Sequence, residues 1–432
     1  MIEIIPETHT LGRFDPHTLL IELTRTAKGE LLSARRGEAD SRGWEVYEHE
    51  VRHWRDLLST LWGRQYLNTL FAAYDAVLST PSHRLNDAYP AVLRLFDTDR
   101  SILFPTYYKY VVPEAPRQSK TSPWSMSFST GVKIKPDGFP DELQPFCFVN
   151  FQAGQMPVAR QPLTDGALLE VRALAAELAT IRPWGSMRPP GEGTAAYLIR
   201  RSELIDQVYD PELTTYSVAA HVASYATGIP SIETALSVGF KLADIAFNLD
   251  ERAFRNITPP AAFPVPPGQR LQGFRKSANR GYAVACLAFA LRGRCSPEGP
   301  DRSEIETALK QVGLPSLNSI YGNAKTGLQT VPGRMARHGR LAALRSRLID
   351  AGAALHVMPD FDAPNISITV DEGLVSPLVG DSECEEFSLG PPLFDTDDTA
   401  FLYECHEGYR KVLRSALRAA RGVDFEFTDF VY

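Results

Sequence analysis

The sequence predicts an α+β, helix-rich fold, and three observations predict it. Apolar residues recur at helical spacing from Trp44 to about Leu78. The stretch 101–160 is rich in aromatic and β-branched residues divided by Pro, Gly and Asp. Most of the chain beyond residue 165 then returns to helical periodicity. At 432 residues the chain exceeds the size at which one core stops growing, so two domains are expected.

In chain order, the short apolar runs Ile2–Ile5 and Leu19–Leu23 suit strands separated by polar turns. The pattern from Trp44 carries Leu57, Leu58, Leu61, Leu67, Leu70 and Phe71 at helical spacing and reads as one long helix ending at Pro81. SILFPTYYKYVV, WSMSFSTGVKI and FCFVNFQAG read as three strands of one antiparallel sheet. A helix follows PLTDG, with Thr164 or Asp165 as N-cap, and runs to about Ile181. Further helices are expected at 216–226, 231–248, 278–292, 302–312, 334–352 and 400–421. The Pro-rich run at 256–269 favours an extended connector. The expected division is therefore an α+β domain at 1–255, that connector, and a mainly helical domain at 270–432.

Composition narrows the function. A formal net charge of −7 argues against a strongly basic nucleic-acid surface. The five cysteines are scattered without C-x-x-C spacing, as expected of reduced thiols in a cytoplasmic protein. The N-terminus lacks the basic and apolar regions of a signal peptide, and no apolar run reaches the roughly 20 residues that span a bilayer.

The strongest chemical signal is His49-Glu50-Val51-Arg52-His53 inside the first long helix. Residues four apart share a helix face, so both imidazoles can meet one metal ion. Zinc accepts neutral imidazole nitrogen, and a catalytic zinc takes three protein ligands and leaves one position for water. Glu50 follows the first His, where its carboxylate can take a proton from that water as general base. Asp56, one turn beyond His53, suits a carboxylate that orients a ligating imidazole. The bland alternative is a solvated helix face that carries two histidines by chance.

This pattern, with Thr60 and Gly63 following it, resembles the zincin metallopeptidases, most closely their gluzincin branch. The resemblance implies a zinc-dependent hydrolase acting on a peptide or protein substrate, and a sheet packed on the active-site helix with an edge strand that binds extended peptide. It also implies a third zinc ligand from a Glu on a later helix. Glu114 and Glu142 lie in Pro-flanked, loop-like sequence, whereas Glu170 sits in the helical LLEVRALAAELA after a strand. Glu170 is the candidate, and Glu233 in GIPSIETALSVGF is the alternative. Tyr216, His221 and Tyr225 share one helix as possible oxyanion donors, and none is preferred.

Two other classes stay open: a non-catalytic regulatory or interaction protein on the same fold, and a DNA-binding or defence-associated factor. The latter would use residues 303–347, which pair a helix-turn-helix-like stretch around Gly313 with a basic run containing Arg334, Arg337 and Arg340.

Overall fold

The computed structural model describes residues 11–35, 42–102, 108–113, 115, 124–134, 139–186, 192–261, 263, 268–330, 336–363, 375–381 and 386–421. The strand expected at Ile2–Ile5 and the basic Arg334 lie outside the described residues. The fold is helix-rich with a small antiparallel sheet, in agreement with the α+β class. Among the described residues no helix is long and apolar enough to cross a membrane.

In chain order the elements are β1 (Gly12–Asp15), β2 (Leu20–Leu23), α1 (Arg25–Arg35), α2 (Arg42–Ser59), α3 (Leu61–Ser79) and α4 (Tyr89–Ile102). Then come β3 (Tyr110–Val111), β4 (Ser125–Ile134), β5 (Pro140–Ala153), β6 (Met156–Pro162), α5 (Asp165–Ser186), α6 (Glu192–Val208), α7 (Thr214–Thr227), α8 (Ile232–Asn248) and α9 (Glu251–Asn256). The chain continues with α10 (Gln269–Lys276), α11 (Arg280–Ala290), α12 (Arg302–Gln311), α13 (Leu317–Gln329), α14 (Gly339–Leu355), β7 (Val379–Asp381) and α15 (Thr396–Arg421). Two compact units result: residues 1–103, 325–357 and 369–432 form the first, and 104–324 with 358–368 the second. The described part of the Pro-rich 256–269 run falls inside the second unit.

The first unit packs α1–α4, α14 and α15 with a three-stranded sheet of order β1-β2-β7. Strands β1 and β2 are antiparallel, with Gly12 opposite Leu23, whereas β2 and β7 are parallel. The helical pattern from Trp44 is two helices. Thr60 is extended at φ −115°, and its Oγ1 accepts from Gly63 N at 3.0 Å, so it N-caps α3 and turns the chain. Trp54, Leu57 and Leu58 of α2, Leu70 and Phe71 of α3, and Leu344 and Leu348 of α14 fill the core.

A charged cluster lies in the same core. His17 Nε2 is 3.3 Å from Asp99 Oδ2 and His17 Nδ1 is 3.4 Å from Asp15 Oδ1. The Tyr66 hydroxyl donates to Asp99 Oδ1 at 3.1 Å, and the Tyr74 hydroxyl to the His17 carbonyl at 2.9 Å. Burial works against a charge on His17, but Asp99 and Asp15 outweigh it and raise its pKa to about 10.

The second unit carries an antiparallel sheet of order β3-β6-β5-β4. Alternation is plain in β4, where Ser125, Ser127 and Ser129 are exposed while Met126, Phe128 and Thr130 turn inward. Strand β6 was not expected from the sequence. It pairs with β5 from Phe148 opposite Pro162 to Ala153 opposite Met156, around a turn at Gly154. The N-terminus of α5 is capped by Thr164, whose Oγ1 accepts from Ala167 N at 3.2 Å. Helices α5, α7, α8 and α11 pack together around Leu168, Leu174, Val218, Leu236, Leu242 and Cys286, all buried.

Candidate metal centre

Helix α2 buries an unusual row of ionisable side chains: Glu45, Glu48, His49, Glu50, His53 and Asp56. Ionisable groups leave water at a cost unless charge partners, hydrogen bonds or a metal compensate them, so each of these side chains calls for a compensating partner. The solvated-face alternative does not describe these histidines. His53 is 1% exposed and His49 9%.

Within the first unit, His49 Nε2 and His53 Nε2 stand 3.1 Å apart, with the rings edge to face at an interplanar angle of 76°. Two nitrogens bound to one tetrahedral zinc at about 2.0–2.1 Å stand about 3.3 Å apart. The pair therefore already has nearly the spacing of two zinc ligands, and the donor set is one that zinc prefers. Burial, then the neighbouring His49 and Arg52, push the His53 pKa well below its ordinary value, which keeps the imidazole neutral. A neutral imidazole is the ligating form.

Glu50 lies between them in sequence and is 6% exposed. Strand β1 passes close over it at Gly12. A Cβ added there would sit 2.7 Å from Val46 Cγ1, 2.9 Å from Leu23 Cδ2 and 3.3 Å from Glu50 Cγ. Only a residue without a side chain lets β1 lie this near the general-base candidate. Gly12 is not legible in the sequence, because one Gly at a strand start carries no chemical signal by itself. Asp56, wholly buried, accepts from Arg52 Nε at 2.8 Å, so an arginine of its own helix engages this carboxylate. Glu48 is pushed up by burial, which Arg55 and Arg52 partly offset. Beyond the helix end, His356 Nδ1 lies 2.7 Å from the Ser59 carbonyl and ties α2 to the segment after α14.

In the second unit, Glu170 sits on α5 at 0% exposure. Glu233, the alternative ligand, occupies the first turn of α8 and is paired with Arg201 Nε of α6. That ion pair gives Glu233 a structural partner. His221 belongs to the unit's core. Its Nε2 is 3.0 Å from the Val208 carbonyl, and Trp124, Phe151 and Tyr209 surround its ring. Burial lowers its pKa to about 4. Tyr225 packs on Phe128 and Phe289.

Two arginines of the basic run, Arg340 and Arg347, make contacts within the first unit. Arg347 pairs with Asp398 Oδ2 at 2.5 Å and lies over the Phe394 ring. Arg340 donates to the Asp397 carbonyl at 2.7 Å and lies over Phe401. Compared with known protein families, curated proteins and solved structures, the chain finds no match in any of the three.

Proposed function

We propose that this chain is a zinc-dependent hydrolase of the zincin type, a metallopeptidase in which His49, His53 and Glu170 hold the metal and Glu50 moves the proton. The observation that carries the reading is the buried His49–His53 pair, whose Nε2 atoms are 3.1 Å apart beside the buried Glu50. The proposal requires the Glu170 carboxylate, carried on α5, as the third ligand. Two imidazoles and one carboxylate are the donor set of many hydrolytic zinc sites.

Zinc held there supplies Lewis-acid polarisation of a water molecule and of the scissile carbonyl. The chain's own residues supply the rest. His53, kept neutral by burial, offers its lone pair without first losing a proton. Glu50 takes the proton of the attacking water and returns it to the departing amine, and its carboxylate is held by α2 and by the close passage of Gly12. The substrate class is peptide or protein. The described cysteines Cys147, Cys286, Cys295 and Cys405 are all free thiols, which fits action in the reducing cytoplasm.

Glu50→Gln is the test. The variant is expected to keep its zinc and to lose peptide hydrolysis by roughly 10²–10⁴-fold, the usual contribution of a general base. Unchanged hydrolysis would remove Glu50 from the chemistry. Zinc binding without hydrolysis of any peptide library by the wild type would favour the regulatory reading.

A further inference from the structure

Three consecutive residues of α5, Glu170, Val171 and Arg172, face three directions about 100° apart. Val171 Cγ2 lies 3.0 Å from where a Cβ on Gly239 would be, so α5 and α8 approach as closely as glycine allows. Arg172, 1% exposed, places Nη1 2.5 Å from Asp244 Oδ1 of α8. Its guanidinium also lies over the rings of Phe240 at 4.5 Å and Phe247 at 5.8 Å. Asp244 in turn accepts from the Tyr321 hydroxyl of α13 and from Asn248 Nδ2.

A buried ion pair is a poor device for stability alone, because apolar residues of similar volume stabilise as well or better. It is a good device for orientation. The close approach to Asp244 and the two flanking phenyl rings together limit where the guanidinium can lie. Rotation of α5 by part of a step would separate Arg172 from Asp244 and move Val171 off Gly239. The same rotation would swing Glu170, about 200° around the helix from Arg172.

We propose that Arg172, Asp244 and Tyr321 form a positioning cluster that sets the rotation of α5 and thereby aims the Glu170 carboxylate as a metal ligand. The inference rests on the reading of Glu170 as the third ligand. It assigns no contact with substrate to these three residues; they act through Glu170.

The test uses the full chain with cobalt(II) in place of zinc, because the visible bands of cobalt report ligand geometry independently of turnover. Four proteins are compared: wild type, Glu170→Gln, Tyr321→Phe, and the double variant Arg172→Met with Asp244→Leu. The double variant replaces the ion pair by apolar side chains and is expected to keep wild-type urea stability. Its cobalt bands should shift toward those of Glu170→Gln, and its zinc affinity should fall about 10–100-fold, the loss typical when a group that orients a ligand is removed. Tyr321→Phe deletes one hydroxyl without altering volume, so it remains informative if the double variant fails to fold. It should lose zinc affinity about 3–10-fold, in proportion to a single hydrogen bond. Wild-type bands and affinity in a folded double variant, or in Tyr321→Phe if the double variant does not fold, would overturn the positioning role while leaving Glu170 as ligand. Bands in Glu170→Gln identical to wild type, or no cobalt uptake by wild type, would overturn the ligand reading and the positioning role with it.

Discussion

His49 Nε2 and His53 Nε2 are 3.1 Å apart on one buried face of α2. At that distance the two rings share at most one proton between their facing nitrogens, and a second positive charge would be repelled and poorly solvated. A zinc ion that accepts both lone pairs would also suit this spacing. Added zinc should therefore raise the thermal midpoint of the metal-free protein. By mass action, zinc at about 100 times its dissociation constant adds about 2.7 kcal/mol. His53→Ala is expected to abolish the zinc-dependent rise, as followed by calorimetry.

The passage of β1 over Glu50 gives a second expectation. Gly12→Val places a branched side chain 2.7 Å from Val46 Cγ1 at its first atom, so β1 or α2 must move. A cost of about 1–3 kcal/mol is expected for such overpacking. Hydrolysis should fall while zinc content stays near wild type, because the strain bears on Glu50 and not on the imidazoles. Measuring both on one preparation separates the two effects.

His17 sets the alkaline side of stability. Its folded pKa of about 10 lies above the ordinary value of 6.5, so the native state holds the proton more tightly. The stabilisation is fully present below about pH 6.5 and is lost as pH rises through about 10. His17→Gln should cost about 3 kcal/mol near neutral pH, since it leaves the buried Asp99 without its cation. The variant's urea midpoint should also lose most of the decline between pH 7 and 10 that the wild type shows.

Arg340 and Arg347 test the nucleic-acid alternative. Both lie against the 394–401 segment, and both are about half exposed. Asp398→Ala removes a buried carboxylate that also accepts from Asp395 N, and is expected to cost about 1–3 kcal/mol. If these arginines served DNA, freeing them should strengthen salt-dependent binding to a duplex. The present account expects no such binding in either protein by fluorescence anisotropy.

Much of this architecture can be read from residue order. Helical periodicity locates α5, α7, α8 and α15 closely. The break at Thr60 is harder to see, since apolar spacing continues across it and the turn depends on one hydroxyl capping Gly63 N. Strand β6 escapes because Pro157, Arg160 and Pro162 disguise it, and its pairing with β5 is a long-range matter. The motif His49-Glu50-x-x-His53 is local and therefore legible. The burial of Glu45, Glu48 and Glu170 is set by the packing of distant helices, and a glutamate carries no mark of where it will lie. The same holds for Arg172 and Asp244, which are 72 positions apart in sequence and in direct contact in the fold.

Elemental analysis of zinc per chain in wild type, His53→Ala and Glu170→Ala decides whether these side chains hold the metal. About one zinc per chain is expected in wild type, with loss of most of it in both variants, because a catalytic zinc rests on three protein ligands. Wild-type protein that binds no zinc after reconstitution, or a Glu170→Ala protein that holds zinc as tightly as wild type, would contradict this expectation.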